Sequence, residues 1–216
     1  MAFGTAVHEA LHDLFVEWQK NSRAPEVAWL QKRFEQHLQR EILTKQESTD
    51  ALALGKETLA RWYQHYQTSF IPNSLLEFNF ASHGIQIDGL RLTGKLDKVE
   101  IVDAKRKEVN IVDYKTGNPD NKSAALKPGG EYWRQLVFYK LLCDLSPRFP
   151  YTMVSGEIDF IQPSPRSGKY IKKKFEITPE EVAELVQVIE TSWKEIKSLE
   201  FLDKPGCREC EYCKIS

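Results

Sequence analysis

Gly94-Lys-Leu-Asp97 … Ile111-Val-Asp113-Tyr-Lys115-Thr-Gly117 is the stretch that decides how this chain reads. Ile111 and Val112 run straight into the polar set, which marks the end of a buried strand. Residues two apart on a strand share a face, so Asp113 and Lys115 project together. Asp97 arrives from the preceding strand, and the turn-prone Asp103-Ala-Lys-Arg-Lys-Glu108 lets the two strands pair antiparallel. Two carboxylates and an ammonium are therefore expected to converge. Carboxylates suit a hard, oxygen-loving cation such as Mg²⁺. A lysine beside such an ion can hold an attacking water and offset charge on a phosphate. The plain alternative for any Asp-x-Lys is an ordinary cross-strand ion pair.

The surroundings separate the two readings. Gly-x-Leu-Asp, then Ile-Val-Asp-Tyr-Lys-Thr-Gly, then Gln135-Leu-Val-Phe-Tyr139 on a following helix resembles the RecB-type branch of the PD-(D/E)XK nucleases in order and spacing. The resemblance covers nearly the whole chain. It implies an α/β fold, a mixed central sheet flanked by helices with an N-terminal helical lobe and a restriction-endonuclease-like core. It also implies metal-dependent hydrolysis of DNA phosphodiesters with Mg²⁺ or Mn²⁺. Asp97 and Asp113 would be metal ligands, with His8 a third through the spacing Gly4 to His8, and the Tyr114 carbonyl a fourth. Lys115 would orient the water and stabilise the transition state, while Gln135 and Tyr139 would line the site and position substrate. Glu77, on the strand upstream of Asp97, is a secondary candidate; its alternative is an edge-strand surface glutamate. Relatives of this type usually form the nuclease of a helicase–nuclease polypeptide or complex in DNA repair and recombination. A chain that opens at the metal-ligand helix is expected to be such a domain cut from its helicase. The reading from a different class is a DNA-binding or scaffolding domain that keeps the fold without turnover. The intact Asp/Asp/Lys set argues against it.

Composition is consistent with this but does not select it. The chain has 216 residues, 41% hydrophobic and 28% charged, with a formal net charge of -1, which suits one sizeable core and requires any DNA-binding face to be local. The expected division is one nuclease domain over 1–216, with a helical lobe at 1–72, a catalytic core at 73–200 and a cysteine-containing tail at 201–216. No apolar run is long enough to span a membrane, and no signal peptide is evident. Four cysteines, three of them at Cys207, Cys210 and Cys213, do not form a secreted disulfide framework. A cytoplasmic protein is expected.

Along the chain, Val7, Leu11, Leu14, Phe15 and Trp18 make one apolar stripe on a first helix. His8-Glu9-Ala10-Leu11-His12 formally satisfies the zinc-protease string H-E-x-x-H. The sheet that usually precedes that helix, and the extended motif with a third His, are both missing. A second helix is expected after Pro25 through Trp29, Leu30, Phe34, Leu38 and Ile42. A third is expected from near Thr49 to Thr68, stopped by Pro72. The loop from Gly117 to Gly130 reads as exposed and mobile, with Lys122 and Lys127 able to meet phosphates. Helix Glu131 to Leu145 follows, then strands at Tyr151 to Ile161 and Tyr170 to Ile177. Arg166, Lys169, Lys172, Lys173 and Lys174 form the densest basic patch, either a DNA contact or a soluble edge strand. Thr178-Pro-Glu-Glu181 is a capping box opening the last helix.

The tail spacing C-x₂-C-x₂-C is of metal type. Relatives with an iron–sulfur cluster use one further cysteine upstream of the core, which this sequence lacks. Cys143 reads as a core residue. The chain alone is therefore expected to carry no full cluster, its tail being loosely ordered or binding zinc weakly through Cys207, Cys210 and Cys213; a cluster would need a version extended upstream.

Overall fold

Three helices precede the sheet in the computed structural model, which describes residues 2–71 and 73–199. Helix α1 (Ala2–Asn21) buries Val7, Leu11, Leu14 and Phe15 on one face, as the stripe predicts. Helix α2 (Val27–Leu38) stops four residues short of Ile42. There the Gln39 and Arg40 N–H groups still bond back to Glu35 and His37, but the last turn tightens and the chain leaves the helix. Ile42 lies in the connector, fully exposed, and is not part of the apolar face. Helix α3 (Lys45–Tyr66) begins before Thr49 because Thr44-Lys-Gln-Glu47 is itself a capping box. The Thr44 N–H donates to Glu47 at 2.8 Å and the Glu47 N–H donates to the Thr44 hydroxyl at 3.3 Å. Pro72 lies outside the described residues; α3 has already ended before it.

The sheet has five strands in the order β1 (Ser74–Asn79), β4 (Lys95–Asp103), β5 (Glu108–Lys115), β6 (Thr152–Phe160) and β7 (Lys172–Phe175). Two short strands, β2 (Gln86–Ile87) and β3 (Leu90–Arg91), form a separate hairpin. β4 and β5 pair antiparallel across the 103–108 turn. β5 and β6 pair parallel, so a crossover must join them. Helix α4 (Glu131–Leu145) supplies it. Helix α5 (Pro179–Ser198) starts on the predicted capping box, with Pro179 in its first turn. Among the described residues no helix is long and apolar enough to cross a membrane.

Alternation along β5 feeds two cores. Val109 and Ile111 face α4 with Leu136, Leu142, Ile158 and Phe160. Val112 and Tyr114 face the helical lobe with Leu11, Leu14, Leu59 and Trp62. Phe15 belongs to the second core, where the Lys98 ammonium stands 3.8 Å from its ring centre. Truncating such a buried aromatic costs about 3–5 kcal/mol. The end of β5 is thereby fixed from both sides, and the polar residues that follow Val112 inherit that rigidity. The architecture is a mixed α/β fold, a five-stranded sheet flanked by helices with an N-terminal helical region.

Candidate active site

Asp113 and Lys115 continue the α4-facing phase of β5. Asp113 is 3% exposed, and its Oδ2 faces Lys115 Nζ at 2.7 Å. Gln135 and Tyr139, one turn apart on α4, meet this pair. Gln135 accepts from Lys115 at 2.8 Å and donates to Asp113 Oδ1 at 2.8 Å. Tyr139 donates to the same Oδ1 at 2.9 Å and accepts from Gln135 at 2.6 Å. The four side chains thus form a closed network in which each polar group orients the next. Gly94 lets β4 approach this helix, since a Cβ there would stand 2.6 Å from Leu142. Gly117, by contrast, has open space around it, and nothing in the structure requires a glycine there.

Asp97 reaches the same end of the sheet by a different route. Leu96 packs with the α4 core, yet Lys98 turns to Phe15 on the opposite side, so the pleat slips by one residue at Asp97. β1 slips at the facing position: Leu76 packs with the helical lobe and Phe78 with the α4 core. Between them Glu77 has φ +52°, a left-handed conformation that costs a non-glycine residue about 1 kcal/mol. The slip lets the Asp97 carboxylate enter the ladder, where its Oδ2 accepts from the Tyr114 N–H at 2.9 Å. Its Oδ1 lies 3.3 Å from His8 Nδ1. Gly4 brings α1 close, because a Cβ there would stand 3.3 Å from the Thr116 hydroxyl. Gly4, Thr5, His8, Glu77, Lys95 and Asp97 line the groove that opens beside this pair.

Burial is the largest influence on Asp113 and raises its pKa; the Asp97 charge raises it further, while Lys115 pulls it down. Burial lowers His8, but its hydrogen bond to Asp97 and the charges of Asp97 and Asp113 outweigh this and leave it raised. Burial also raises Tyr139, with Asp113 adding to it, so the phenol stays a donor. Among the described residues, no three His, Cys, Asp or Glu side chains already stand in a ligating array. The chemistry of the donor set still fits a hard divalent cation. Asp113 Oδ2 is buried without a well-directed hydrogen bond, and the neighbouring Asp97 charge raises the cost of ionising Asp113. Glu77 instead pairs with Lys95. The Tyr114 peptide sits beside Asp97 through its N–H, while its ring is buried among the helices.

The H-E-x-x-H string does not converge on one point. His8 turns to Asp97, Glu9 reaches His37 at 2.7 Å, and His12 lies 3.5 Å from Asp13. Cys143 is buried, and burial holds its thiol well above the ordinary range. Cys207, Cys210 and Cys213 lie outside the described residues. The loop after Gly117 is more regular than its composition predicts. A 3-10 turn over Pro119–Lys122 is capped by Asn118, whose side chain accepts from the Asp120 N–H at 2.9 Å. Lys127 is exposed on the same loop. Two features escape sequence reading. Tyr132, at the start of α4, has Lys115 Nζ 4.6 Å and Lys122 Nζ 5.6 Å from its ring centre. Lys172, in the basic patch, is already bound to Asp159 at 2.9 Å and lies 4.1 Å from the Tyr66 ring centre. An aromatic opening a helix carries no local signal of a cation over its face.

The profile of the PD-(D/E)XK nuclease superfamily matches residues 1–216. A mixed sheet with a carboxylate–lysine pair at one strand end is the setting of such a nuclease, and the chain belongs to this superfamily. Its members are generally nucleases acting on DNA and typically use divalent metals. No curated protein matches the chain. Among solved structures, the crystal structure of SSO0001 is similar at 16% identity and a TM-score of 0.35, covering 98% of this chain and 81% of that one.

Proposed function

We propose that this chain is a divalent-metal-dependent deoxyribonuclease of the RecB type, one nuclease unit over 1–216, working with a helicase in the same polypeptide or complex during cytoplasmic DNA repair or recombination. The observation that carries the reading is the network in which Lys115 is held by both Asp113 and Gln135, at 2.7 and 2.8 Å. An ordinary surface ion pair has no need of a second layer that fixes both partners. The RecB assignment rests on the Gly4-to-His8 spacing and the Gln135–Tyr139 pair.

Asp97, Asp113 and His8 would hold the ion, with the Tyr114 carbonyl as a further donor. Glu77 joins only if it leaves Lys95. A bound Mg²⁺ or Mn²⁺ supplies Lewis acidity to the scissile phosphate and makes a bound water acidic. Lys115 orients the attacking water and offsets the charge that develops on the phosphate. Gln135 keeps the ammonium pointed, because its carbonyl accepts a hydrogen bond from Lys115 while its amide N–H donates to Asp113. Tyr139 fixes the Asp113 rotamer from the other side. Lys122, Arg166 and Lys169 supply charge for the DNA backbone.

The test is cleavage of single-stranded and duplex DNA by wild type, Asp113→Ala and Lys115→Ala with Mg²⁺, Mn²⁺ or Ca²⁺. Both variants should lose turnover while still binding DNA. Ca²⁺ should support little cleavage, because it holds its ligands in looser geometry. Wild-type protein without Mg²⁺- or Mn²⁺-dependent cleavage of any DNA would overturn the enzyme reading.

A further inference from the structure

Asp120 is a carboxylate with no part in the network above, yet it ties together two loops at the Lys115 end of the sheet. Its Oδ1 accepts from the Ser164 hydroxyl at 2.8 Å and its Oδ2 accepts from the Arg166 N–H at 3.1 Å. Ser164 is 3% exposed and organises its own loop: its hydroxyl also accepts from Ser167, its N–H donates to Lys169, and its carbonyl accepts from Gly168. The far end of that loop is seated separately, where Tyr170 stacks on His65 of α3 at 4.6 Å. The near end follows Ile161, whose N–H donates to the Lys115 carbonyl at 2.9 Å. The loop is therefore fastened at three points, and Asp120 is the one that joins it to the segment leaving β5. Lys122 stands two residues beyond Asp120 and shares the Tyr132 ring with Lys115. Arg166 and Lys169 are exposed on the other loop.

We propose that Asp120 is a positioning residue that clasps the 162–170 loop to the exit of β5, so that Lys122, Arg166 and Lys169 form one cationic rim for a DNA backbone beside Lys115. A fixed rim is what the position needs, because flexible lysines and arginines must lose rotamer freedom to hold a phosphate. Both its oxygens are taken by neutral donors, the Ser164 hydroxyl and the Arg166 backbone N–H, so the Arg166 guanidinium is not drawn into an ion pair with it. The inference rests on the nuclease reading.

The experiment measures DNA affinity over a salt series and steady-state cleavage for wild type, Asp120→Ala, Asp120→Asn, Arg166→Ala and the Asp120→Ala/Arg166→Ala pair. Losing one or two phosphate contacts should weaken binding about 3- to 10-fold and make the salt dependence shallower by about 1 to 2. KM should rise while kcat at saturating DNA stays within about twofold. Asp120→Asn keeps one acceptor for Ser164 and should fall between the other two; it carries the test if the alanine variant fails to fold. The paired variant should be little worse than Asp120→Ala alone, since the clasp acts through the rim. Wild-type affinity and slope in Asp120→Ala and Asp120→Asn, or fully additive losses in the pair, would overturn the clasp and leave the nuclease reading intact. Wild-type protein that binds no DNA would overturn both.

Discussion

The two faces of the sheet carry similar chemistry arranged for different ends. Towards α4, buried Asp113 meets Lys115. Towards the helical lobe, Asp159 on β6 is 1% exposed and meets Lys172, while Lys98, 2% exposed, meets Glu100 at 2.8 Å. Both sets are carboxylate–lysine pairs of the sheet: Asp113–Lys115 and Lys98–Glu100 lie two residues apart on one strand, and Asp159–Lys172 joins β6 to β7. On the lobe side Lys172 meets Asp159 Oδ2 and also lies 3.7 Å from Glu157, and the Tyr66 ring covers its ammonium, although Asp159 Oδ1, like Asp113 Oδ2, is buried without a well-directed hydrogen bond. Towards α4 the amide of Gln135 and the phenol of Tyr139 brace the pair, and Asp97 and His8 stand at a groove beside it. An Asp–Lys pair is therefore not a site by itself. What distinguishes one is a second layer that fixes both partners, and an opening through which a ligand can arrive.

The largest contrast is in turnover. Lys115→Ala should lower DNA cleavage by about 10²–10³-fold or more. Lys172→Ala and Asp159→Asn should leave saturated kcat within about threefold, because their groups face the other core. Equal losses in the two sets, measured on folded protein, would erase the distinction between the faces.

A smaller effect separates the residues of α1. His8→Ala should weaken divalent-metal binding about 10-fold or more, while Glu9→Ala and His12→Ala should be nearly silent in metal binding. Equal loss in all three would mean that the helix presents a different ligand set.

The smallest effect is on stability. Burial pushes the Asp159 carboxyl up to about 6, with Lys172 opposing and Glu157 adding to the shift. A carboxyl raised in the folded state binds its proton more tightly folded than unfolded. Its contribution to stability is therefore greatest at low pH and is lost as pH rises from about 4 to about 6. Asp159→Asn should flatten that part of the stability profile, by roughly 1–3 kcal/mol between its ends. Urea midpoints from pH 4 to pH 7 would read this directly. An unchanged slope would show that Asp159 ionises as an ordinary exposed carboxylate does.

Much of the fold was legible because its signals are local. The Thr178–Glu181 capping box, the helix at Glu131–Leu145 and the apolar run into Asp113 each follow from spacing within a few residues. Where the reading slipped, a competing local rule had won. The Thr44–Glu47 box moved the start of α3, and the tightened turn after Leu38 put Ile42 into solvent. The network around Asp113 joins residues nominated by resemblance, whereas the pleat slip at Glu77 and Asp97 has no sequence signature. It depends on two strands yielding together. The lobe-side cluster was equally hidden, since its members come from three strands and a helix.

Titration of Mn²⁺ into wild type, Asp97→Asn, Asp113→Asn and Asp159→Asn measures directly where a divalent ion binds. Binding should be present in wild type, lost or weakened by at least about tenfold in Asp97→Asn and Asp113→Asn, and unchanged in Asp159→Asn. Binding that survives both of the first two substitutions, or that disappears with Asp159→Asn, would contradict the assignment of Asp97 and Asp113 as its ligands.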